Sequence, residues 1–209
     1  MAQASVARPP LRGRKKAQTR LNIVQRAREL FDRKGFDATT IDEIADAADV
    51  HKQTVFRYFG SKEEIALVFR IDAFEEFKGS LLDPDRTVSV IQCWREHVKK
   101  AAARVAKRGD FYRYTQLIHS DPRLYAASLR LEIAHEELIA RALSEEADVD
   151  PATDIHARLL ATLLVGGSRA VGRMMLDNNS LDQMEQASLA VVDFAIENFP
   201  ERRGRAGAL

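Results

Sequence analysis

The chain has 209 residues, of which 45% are hydrophobic and 30% charged, the composition of a globular protein with a buried core. Its single cysteine, Cys93, excludes a disulfide within the chain and fits a reducing cytoplasm, where we expect a small buried hydrophobe. Residues 1–11 lack the apolar region of a signal peptide, and no apolar run reaches about 18 residues, so we expect neither secretion nor a membrane partner.

The net charge of +1 conceals an uneven distribution along the chain. Residues 1–62 carry 13 Lys and Arg against 7 Asp and Glu, a net charge of +6, whereas the remainder carries 19 against 24, a net charge of −5. A basic N-terminal part on an acidic body is expected when one end of a protein meets phosphate groups. The asymmetry therefore indicates a nucleic-acid partner for the N-terminal part.

The first elements along the chain are a basic arm and a long helix. Residues 1–13 show no periodicity and predict a disordered arm. From Arg14 the pattern is helical, and Gly35 supplies a left-handed stop. The apolar residues that recur at three- and four-residue steps in this helix are Ile23, Ala27, Leu30 and Phe31.

Two short helices come next. Thr40 and Glu43 form a capping box that opens a helix through Ala48. After a break at Asp49, a second short helix is predicted from about Lys52 to 59. A second capping box, at 61–64, opens a longer helix that ends before the Asp-Pro pair at 83–84.

Long helices separated by clear breakers fill the rest of the chain. Asp121-Pro122 and Asp150-Pro151 each place an N-cap before a proline. No strand-like alternation and no internal repeat is found, so the fold class is all-α with about nine helices. The body helices are predicted at about 87–108, 110–119, 122–147, 154–176 and 181–199, before a frayed tail at 201–209.

The two short helices carry side chains that are suited to contact DNA bases. In such a pair the second helix enters the major groove and presents its early residues to base edges. Here those residues are His51, Lys52, Gln53 and Thr54. Lysine can donate to guanine, glutamine can bond adenine, and threonine can contact phosphate or a thymine methyl group.

Other residues are placed to contact the DNA backbone. Thr40 caps the first short helix, whose N-terminus favours phosphate. Arg57 and Tyr58 are predicted to face outward beside the groove, and Lys62 to meet a phosphate at the start of the next helix. The basic run Arg14, Lys15 and Lys16 either contacts phosphate or the minor groove, or is solvated.

These residues resemble the TetR family of bacterial repressors over about 50 positions. The resemblance rests on Gly35–Ala45, Val50, Thr54, Phe56, Tyr58, Phe59 and Ser61–Glu63. It implies a homodimer shaped like the letter Ω, DNA released on ligand binding, and dimerisation through the last two helices, 154–176 and 181–199. It further implies a three-helix DNA-binding domain at 14–62 and a helical ligand-sensing and dimerisation domain at 63–200.

Four positions depart from the pattern of the family. Asp49 stands where a glycine is usual in the turn, and it can still adopt a left-handed conformation. His51 replaces a serine, which predicts a weaker cap for the second short helix. Gln53 replaces a small residue, and Phe56 replaces a tyrosine whose hydroxyl would contact phosphate. These changes affect the operator sequence rather than the DNA-binding role.

The helices after Thr87 hold polar and aromatic side chains among apolar ones, as a pocket for a mostly apolar ligand requires. The alternative is that these residues are ordinary core or surface residues. Arginines at 113, 123, 130 and 169 could anchor an anionic ligand, and the region faintly resembles the subgroup of the family that senses acyl-CoA-like molecules. The candidate ligand residues are Trp94, His97, Phe111, Tyr114, His119, Tyr125, Arg130 and Arg169.

Two stripes on the last two helices are candidates for the dimer contact. On 154–176 the stripe is of small residues, and on 181–199 it is apolar. The alternative is packing within one protomer. The stripes are Ala161, Val165, Ser168 and Gly172, and Leu189, Val192, Ile196 and Phe199.

The leading alternatives to a ligand-responsive regulator are an enzyme and a DNA-binding protein without a ligand. Five histidines show no metal-pair spacing, no nucleophile has a matching base, and no phosphate-binding glycine loop occurs. We therefore expect no catalysis, no metal and no cofactor. A protein controlled by a protein partner, or one that shapes DNA, would have a filled body rather than an internal cavity.

Overall fold

In a computed structural model, residues 11–106 and 111–199 are described, apart from the side chains of Leu11, Ala106 and Leu181. Most of the predicted basic arm and the predicted tail at 201–209 lie outside these residues. Within them the secondary structure is helical, with no strand. The all-α fold class is therefore confirmed.

The described residues form ten α-helices in two compact units, Met1–Val68 and Phe69–Leu209. The division after Val68 comes later than the predicted domain boundary after Lys62. A 3₁₀ turn at Leu181–Gln183 precedes the last helix. The helices are α1 Leu11–Lys34, α2 Ile41–Ala47, α3 Lys52–Tyr58, α4 Lys62–Ala66, α5 Val68–Leu81, α6 Val90–Ala106, α7 Phe111–Ser120, α8 Pro122–Glu146, α9 Ile155–Asp177 and α10 Met184–Asn198.

The first unit is built on α1. This helix begins at Leu11, so residues 11–13, predicted to belong to the arm, are helical. It ends where Gly35 has φ +87°, a left-handed conformation that a residue with a Cβ rarely adopts. One apolar face of α1 packs against α2 and α4. The fully or nearly fully buried residues of this unit include Ile23, Ala27, Phe31, Ile44, Val55, Phe59 and Ile65.

The α2–α3 turn is tight and is held from α1. Asp49 has φ +53°, so the left-handed conformation expected at this position is present. The Asn22 side-chain amide donates to the Ala48 carbonyl over 2.8 Å, which ties the end of α2 to α1. The Thr40–Glu43 capping box at the start of α2 is confirmed by both of its hydrogen bonds.

The helix predicted after the second capping box is divided at Leu67, which explains ten helices where about nine were predicted. Ser61 caps α4 by accepting from the Glu64 amide, but the Glu64 carboxylate accepts from the Gly60 amide and not from that of Ser61, so only half of the predicted capping box is present. Four consecutive residues, 65–68, are buried. One face of a straight helix cannot bury four consecutive side chains, and a break between α4 and α5 lets all four be covered.

The second unit has its core among α5, α6, α8, α9 and α10. Asp121 caps α8 ahead of Pro122, as predicted. The prediction of Asp150 as the cap of the next helix was wrong: Asp154 caps α9, and Asp150 instead accepts from the Ala152 amide in the turn before it. Cys93 is 7% exposed within this core, as predicted. The core residues with the least exposure include Val90, Ile139, Leu160, Leu164 and Val192.

The two stripes predicted for dimerisation face inward instead. Ala161, Val165 and Val192 are at most 4% exposed and belong to the core of the protomer. Leu189 and Phe199 pack against the same core, and only Ile196 is largely exposed, at 46%. The outer faces of α9 and α10 carry other apolar residues, namely Leu159, Met174 and Phe194, exposed by 56%, 46% and 53%.

By length and composition alone, α9 is apolar enough to cross a membrane, contrary to the expectation from the sequence. A third of its most apolar window is buried, and it packs against α8 and α10. Core helices pass the same test, so this property alone is weak evidence of a membrane span, and it is the packing against α8 and α10 that places α9 in the body of the second unit.

The packing of α9 on α10 depends on Gly167. A Cβ at this position would lie 2.5 Å from Cγ1 of Val191, and the β-branched valine has little freedom to move. We expect Gly167→Ala to lower the free energy of unfolding by about 1–3 kcal/mol because it overpacks this contact. Urea denaturation at one fixed protein concentration measures the change.

Gly79→Ala is the matched control for Gly167→Ala. Gly79 lies in α5 with no atom within 4 Å of its would-be Cβ. The added methyl group there should raise stability by about 0.5–1 kcal/mol through helix propensity alone. Equal effects of the two substitutions would contradict the proposed close contact.

Candidate DNA-binding surface and ligand cavity

The outward face of α3 carries the residues predicted to read DNA. Val55 is fully buried and Phe59 is 4% exposed, so the inward face is the predicted one. His51, Lys52, Gln53 and Arg57 are exposed, and Thr54 and Tyr58 are half-buried. His51 is the N-cap residue but makes no side-chain cap hydrogen bond, in agreement with the weak cap expected there.

The cations of α3 are held by neighbouring side chains. The Lys52 ammonium lies 2.9 Å from a carboxylate oxygen of Asp42 on α2, at the surface. The Arg57 guanidinium lies over the Tyr58 ring at 5.7 Å and within 3.5 Å of the Thr54 hydroxyl. Exposed contacts of this kind contribute little to stability, so these side chains can exchange them for contacts to phosphate or bases.

Lys62, predicted to meet a phosphate, makes several contacts within the first unit. Its ammonium donates to the carbonyls of Phe36 and Thr39 over 2.7 and 2.8 Å, and lies 4.3 Å from the centre of the Phe36 ring. A third carbonyl, that of Asp37, lies at 3.5 Å. This geometry uses the ammonium to connect the start of α4 to the α1–α2 turn.

The remaining predicted DNA residues lie on α1 and at the start of α2. Arg14, Lys15 and Lys16 are exposed on the first turns of α1. The Thr40 hydroxyl accepts from the Glu43 amide at 3.2 Å, and the Glu43 carboxylate accepts from Thr40 and from the ammonium of Lys34. The Lys34 ammonium, followed by the Thr40 hydrogen bonds, lowers the pKa of Glu43 to about 2.

Phe56 is a candidate DNA contact that the sequence reasoning treated only as a lost hydroxyl. Its ring is 49% exposed on α3. It lies four residues after Lys52 and three after Gln53, so the three side chains share a helix face. Helical spacing was the signal that could have identified it, since an exposed apolar ring suits a thymine methyl group.

The second unit contains a partly open cavity of about 500 Å³, between α5, α6, α7, α8, α9 and α10. Ligand pockets in proteins commonly occupy about 300–1,000 Å³ and are mostly apolar. The predicted ligand residues that line it are Trp94, His97, Phe111, Tyr114, His119, Tyr125 and Arg169. Arg130 is exposed and is not part of the lining, because it lies on the solvent side of α8. Ser168 and Gly172, predicted at the dimer contact, line the cavity instead.

One wall of the cavity is a cluster of rings around Phe77. The Phe77 ring centre lies 5.4 Å from Trp94, 5.0 Å from His97 and 5.7 Å from His135. Trp94 and His97 are stacked with their centres 5.0 Å apart. The cluster holds two imidazoles and an indole against an apolar core.

Two nitrogen atoms on this wall have no hydrogen-bond partner among the described residues: Nε1 of Trp94 and Nε2 of His135. His135 Nδ1 lies 2.9 Å from the Leu131 carbonyl. A carbonyl only accepts, so Nδ1 carries the proton and Nε2 is an acceptor in the neutral ring. Burial lowers the pKa of His97 to about 3 and that of His135 to about 4, so both imidazoles are neutral at physiological pH.

Other residues of the lining are charged, and their charges are mostly paired. The Glu132 carboxylate forms ion pairs with two guanidinium groups, that of Arg169 at 2.7 Å and that of Arg70 at 3.5 Å. The Arg70 guanidinium also donates to the Ser128 hydroxyl over 2.5 Å. Arg104 is paired with Glu76. Arg173 lines the cavity from an exposed position on α9.

Several lining residues were absent from the sequence-based candidates. His135, Glu132 and Ser128 lie on α8, and Phe69 and Arg70 lie on α5. The sequence feature that could have identified His135 is its position on the apolar face of α8, four residues before the buried Ile139. Which apolar face borders a cavity is decided by packing, and so the pattern alone did not distinguish it from core. No group of three or more potential metal ligands occurs within 11–106 and 111–199.

The geometry predicts separate roles for two lysines. We expect Lys62→Met to lower the free energy of unfolding of the first unit by about 1–3 kcal/mol, because it withdraws charge-assisted hydrogen bonds from two carbonyls. Lys52→Met removes only an exposed ion pair and should change stability by about 0.5 kcal/mol or less. Thermal unfolding of both variants tests this; equal losses would contradict the assigned role of Lys62.

A second prediction concerns the stability of the folded protein at low pH. Since the folded pKa of His97 lies below the usual value of 6.5, the unfolded chain binds a proton that the folded one does not as pH falls below about 6.5. Unfolding free energy therefore decreases as pH falls toward 4. We expect His97→Gln to reduce this slope by about 1.4 kcal/mol per pH unit between pH 6 and 4.5, measured by urea denaturation. Parallel curves for the two proteins would contradict the buried, neutral state of His97.

Comparison with known proteins agrees with this arrangement. The family model described as bacterial regulatory proteins, tetR family, matches residues 23–68. The transcriptional regulator TcmR of Streptomyces glaucescens is 31% identical over 174 residues, covering 79% of this chain and 76% of that protein. The putative mycofactocin biosynthesis regulator MftR of Mycobacterium tuberculosis is 24% identical over 181 residues, covering 85% and 90%.

Solved structures share the fold at low identity. The SmeT–triclosan complex has a TM-score of 0.63 at 14% identity, covering 86% of this chain and 90% of that chain. FadR of Bacillus subtilis in complex with stearoyl-CoA has a TM-score of 0.57 at 17% identity, covering 84% and 97%. The chain belongs to the TetR family of bacterial regulators, and it is accordingly a DNA-binding transcription regulator and not an enzyme.

Proposed function

We propose that this regulator is a cytoplasmic repressor that binds a palindromic operator as a homodimer and is released when a small, mostly apolar molecule enters the cavity of the second unit. The observation that carries the ligand part is the cavity of about 500 Å³ lined by aromatic side chains. A DNA-binding protein controlled only by a protein partner has no need of such a space. The cavity therefore favours a small-molecule effector over the architectural alternative.

The DNA part of the proposal is supported by the outward face of α3. Lys52, Gln53, Phe56 and Arg57 are exposed there. Their side chains offer donors and acceptors for base edges and an apolar ring for a thymine methyl group. Arg14, Lys15 and Lys16 on α1 add positive charge for the phosphate backbone.

The dimer part is supported by the exposed apolar residues Leu159 and Met174 on α9 and Phe194 on α10. Four helices, two from each protomer, would cover these side chains around a two-fold axis. Two recognition helices related in this way match two half-sites about one helical turn apart, as a palindrome requires.

The ligand class has two candidates within the proposal. The first is a neutral apolar molecule, suited to the aromatic wall. The second is an acyl-CoA-like molecule, favoured by Arg169 and Arg173 in the lining and by the fold shared with FadR of Bacillus subtilis, whose structure was solved in complex with stearoyl-CoA. Isothermal titration with lauroyl-CoA at micromolar concentration tests the second, and an absence of heat would remove it.

The test of the DNA-binding proposal is capture and sequencing of sheared genomic DNA from the source organism, followed by footprinting. We expect a discrete palindromic site. Gln53→Ala and Phe56→Ala should each weaken binding to that site by roughly 5- to 150-fold, the equivalent of 1–3 kcal/mol, because they face base edges.

Lys15→Ala is the matched control for these base-reading variants. It should weaken operator and random DNA alike and make binding less sensitive to salt, since it contacts phosphate at most. Diffuse, salt-sensitive binding by the wild-type protein, with no discrete site, would overturn the repressor proposal in favour of an architectural role.

A further inference from the structure

We propose that the cavity of the second unit binds an amphiphilic molecule with one negative charge, whose anionic group is held by Arg173 and whose apolar body lies against the aromatic part of the lining. The inference rests on the proposed function, because it narrows the ligand class of the same cavity. The observation behind it is the charge of the lining, which is left unbalanced at one arginine.

The charged side chains of the lining are four arginines and one glutamate, an excess of three positive charges. If Glu76, which pairs with Arg104 from outside the lining, is counted as well, the excess is still two. This excess runs against the composition of the unit, since residues 63–209 carry 19 Lys and Arg against 24 Asp and Glu. A positive lining within an acidic body favours an anionic ligand over a cationic one. The five charged lining residues are Arg70, Arg104, Arg169, Arg173 and Glu132.

Within the part of the chain that the structure describes, Arg173 is the lining arginine whose side chain makes neither an ion pair nor a hydrogen bond. The guanidinium groups of Arg70 and Arg169 form ion pairs with Glu132, and that of Arg104 pairs with Glu76. One anionic group on the ligand matches one available arginine, whereas the several phosphate charges of an acyl-CoA would exceed it. The balance of charges therefore favours a ligand with a single negative charge.

Other positive groups lie near Arg173. Arg169 precedes it by four residues, so the two arginines share one face of α9. Burial, followed by the positive charges of Arg70 and Arg173, lowers the pKa of His119, another residue of the lining. The surroundings of His119 are therefore positive, and an anion in this part of the cavity is attracted by more than one guanidinium group. The carboxylates that act on His119 in the opposite sense do so more weakly; they are Glu132 and Asp177.

The exposure of Arg173 lowers the cost of binding an anion. An ion that moves out of water loses its hydration, and this loss is large in a closed apolar cavity. Here the cavity is partly open and Arg173 is an exposed residue of α9. An anionic group at Arg173 therefore keeps part of its water while it accepts charge-assisted hydrogen bonds from the guanidinium group.

The aromatic part of the lining suits the apolar body of such a molecule. Phe69 and Tyr114 meet edge to face at 6.1 Å, and Trp94 and His97 stack at 5.0 Å. Ring faces and edges of this kind pack against aromatic and aliphatic groups alike. The volume of about 500 Å³ lies in the usual range for a small-molecule site. A ligand that combines an apolar body with one anionic group uses both parts of the lining.

The experiment compares three probes of one size that differ in the charge of the end group: 4-(1-pyrenyl)butyrate, its primary amide and 4-(1-pyrenyl)butylamine. At neutral pH these are an anion, a neutral molecule and a cation. Binding to the full-length protein without DNA is followed by energy transfer to the pyrene from Trp94, the single tryptophan. We expect the carboxylate to bind about tenfold more tightly than the amide, and the amine to bind most weakly. Added salt should reduce the advantage of the carboxylate and leave binding of the amide unchanged.

Substitutions of Arg173 assign the preference to its charge. Arg173→Met keeps most of the apolar stem, and it should weaken binding of the carboxylate about tenfold while changing that of the amide by no more than about twofold. Arg173→Lys keeps the charge and should retain most of the preference. Arg130→Met is the matched control, because Arg130 is exposed and lies outside the lining, and it should change neither affinity. If Arg173→Met does not fold, Arg173→Gln gives the same comparison.

Equal binding of the carboxylate and the amide by the wild-type protein would overturn the proposal, as would tightest binding of the amine. An Arg173→Met variant that binds both probes as the wild type does, or that loses both equally, would also overturn it. Failure of all three probes to bind has the same consequence. Binding of the amide without any preference for the carboxylate would leave the proposed small-molecule regulator intact, and release of operator DNA tests that function separately.

Discussion

The ring cluster around Phe77 is the packing arrangement on which the second unit depends. Phe77 contacts Trp94, His97 and His135 within 5.7 Å between ring centres. Phe77 and Trp94 belong to the hydrophobic core, while Trp94, His97 and His135 line the cavity. The imidazole and indole rings pack through their faces as apolar surface, while Nε1 of Trp94 and Nε2 of His135 are buried without a hydrogen-bond partner among the described residues.

The cost of this arrangement is electrostatic. Two histidines lie with their ring centres 5.4 Å apart in an apolar setting, and burial lowers the pKa of His97 to about 3 and that of His135 to about 4. Both therefore stay neutral, and the charges of the cavity are gathered on another part of its lining, where Glu132 lies between Arg70 and Arg169. The cavity is thus divided into a neutral ring wall and a mostly compensated ionic region, and this division decides which ligand groups each part can accept.

In the first unit, by contrast, polar contacts determine the geometry of the DNA-reading face. Asn22 ties the end of α2 to α1, and Lys62 ties the start of α4 to the α1–α2 turn. All three hydrogen bonds run from a side chain to a backbone carbonyl. They orient α2 and α3 without using the exposed side chains of α3. This separation allows residues such as Gln53 and Phe56 to vary with the operator while the helix that carries them stays in place.

The sequence by itself determined the local elements, because caps, breakers and helical spacing act over a few neighbouring residues. The Thr40–Glu43 capping box, the left-handed conformation at Asp49 and the inward face of α3 were predicted in this way. The family motif lies within the same local stretch, so the DNA-binding role could be derived from it.

Only the tertiary structure decided which apolar faces meet each other and which border empty space. The stripes expected at a dimer contact pack instead within the protomer or line the cavity, because a helix with apolar residues on several faces gives no sign of which neighbour covers each. Likewise the roles of Lys62 and His135 depend on partners 23 to 26 residues away in one case and on a cavity built from six helices in the other. The spacing of apolar residues in the sequence indicates that a helix face is buried. Which helix or cavity lies against that face is decided only by the packing of the helices.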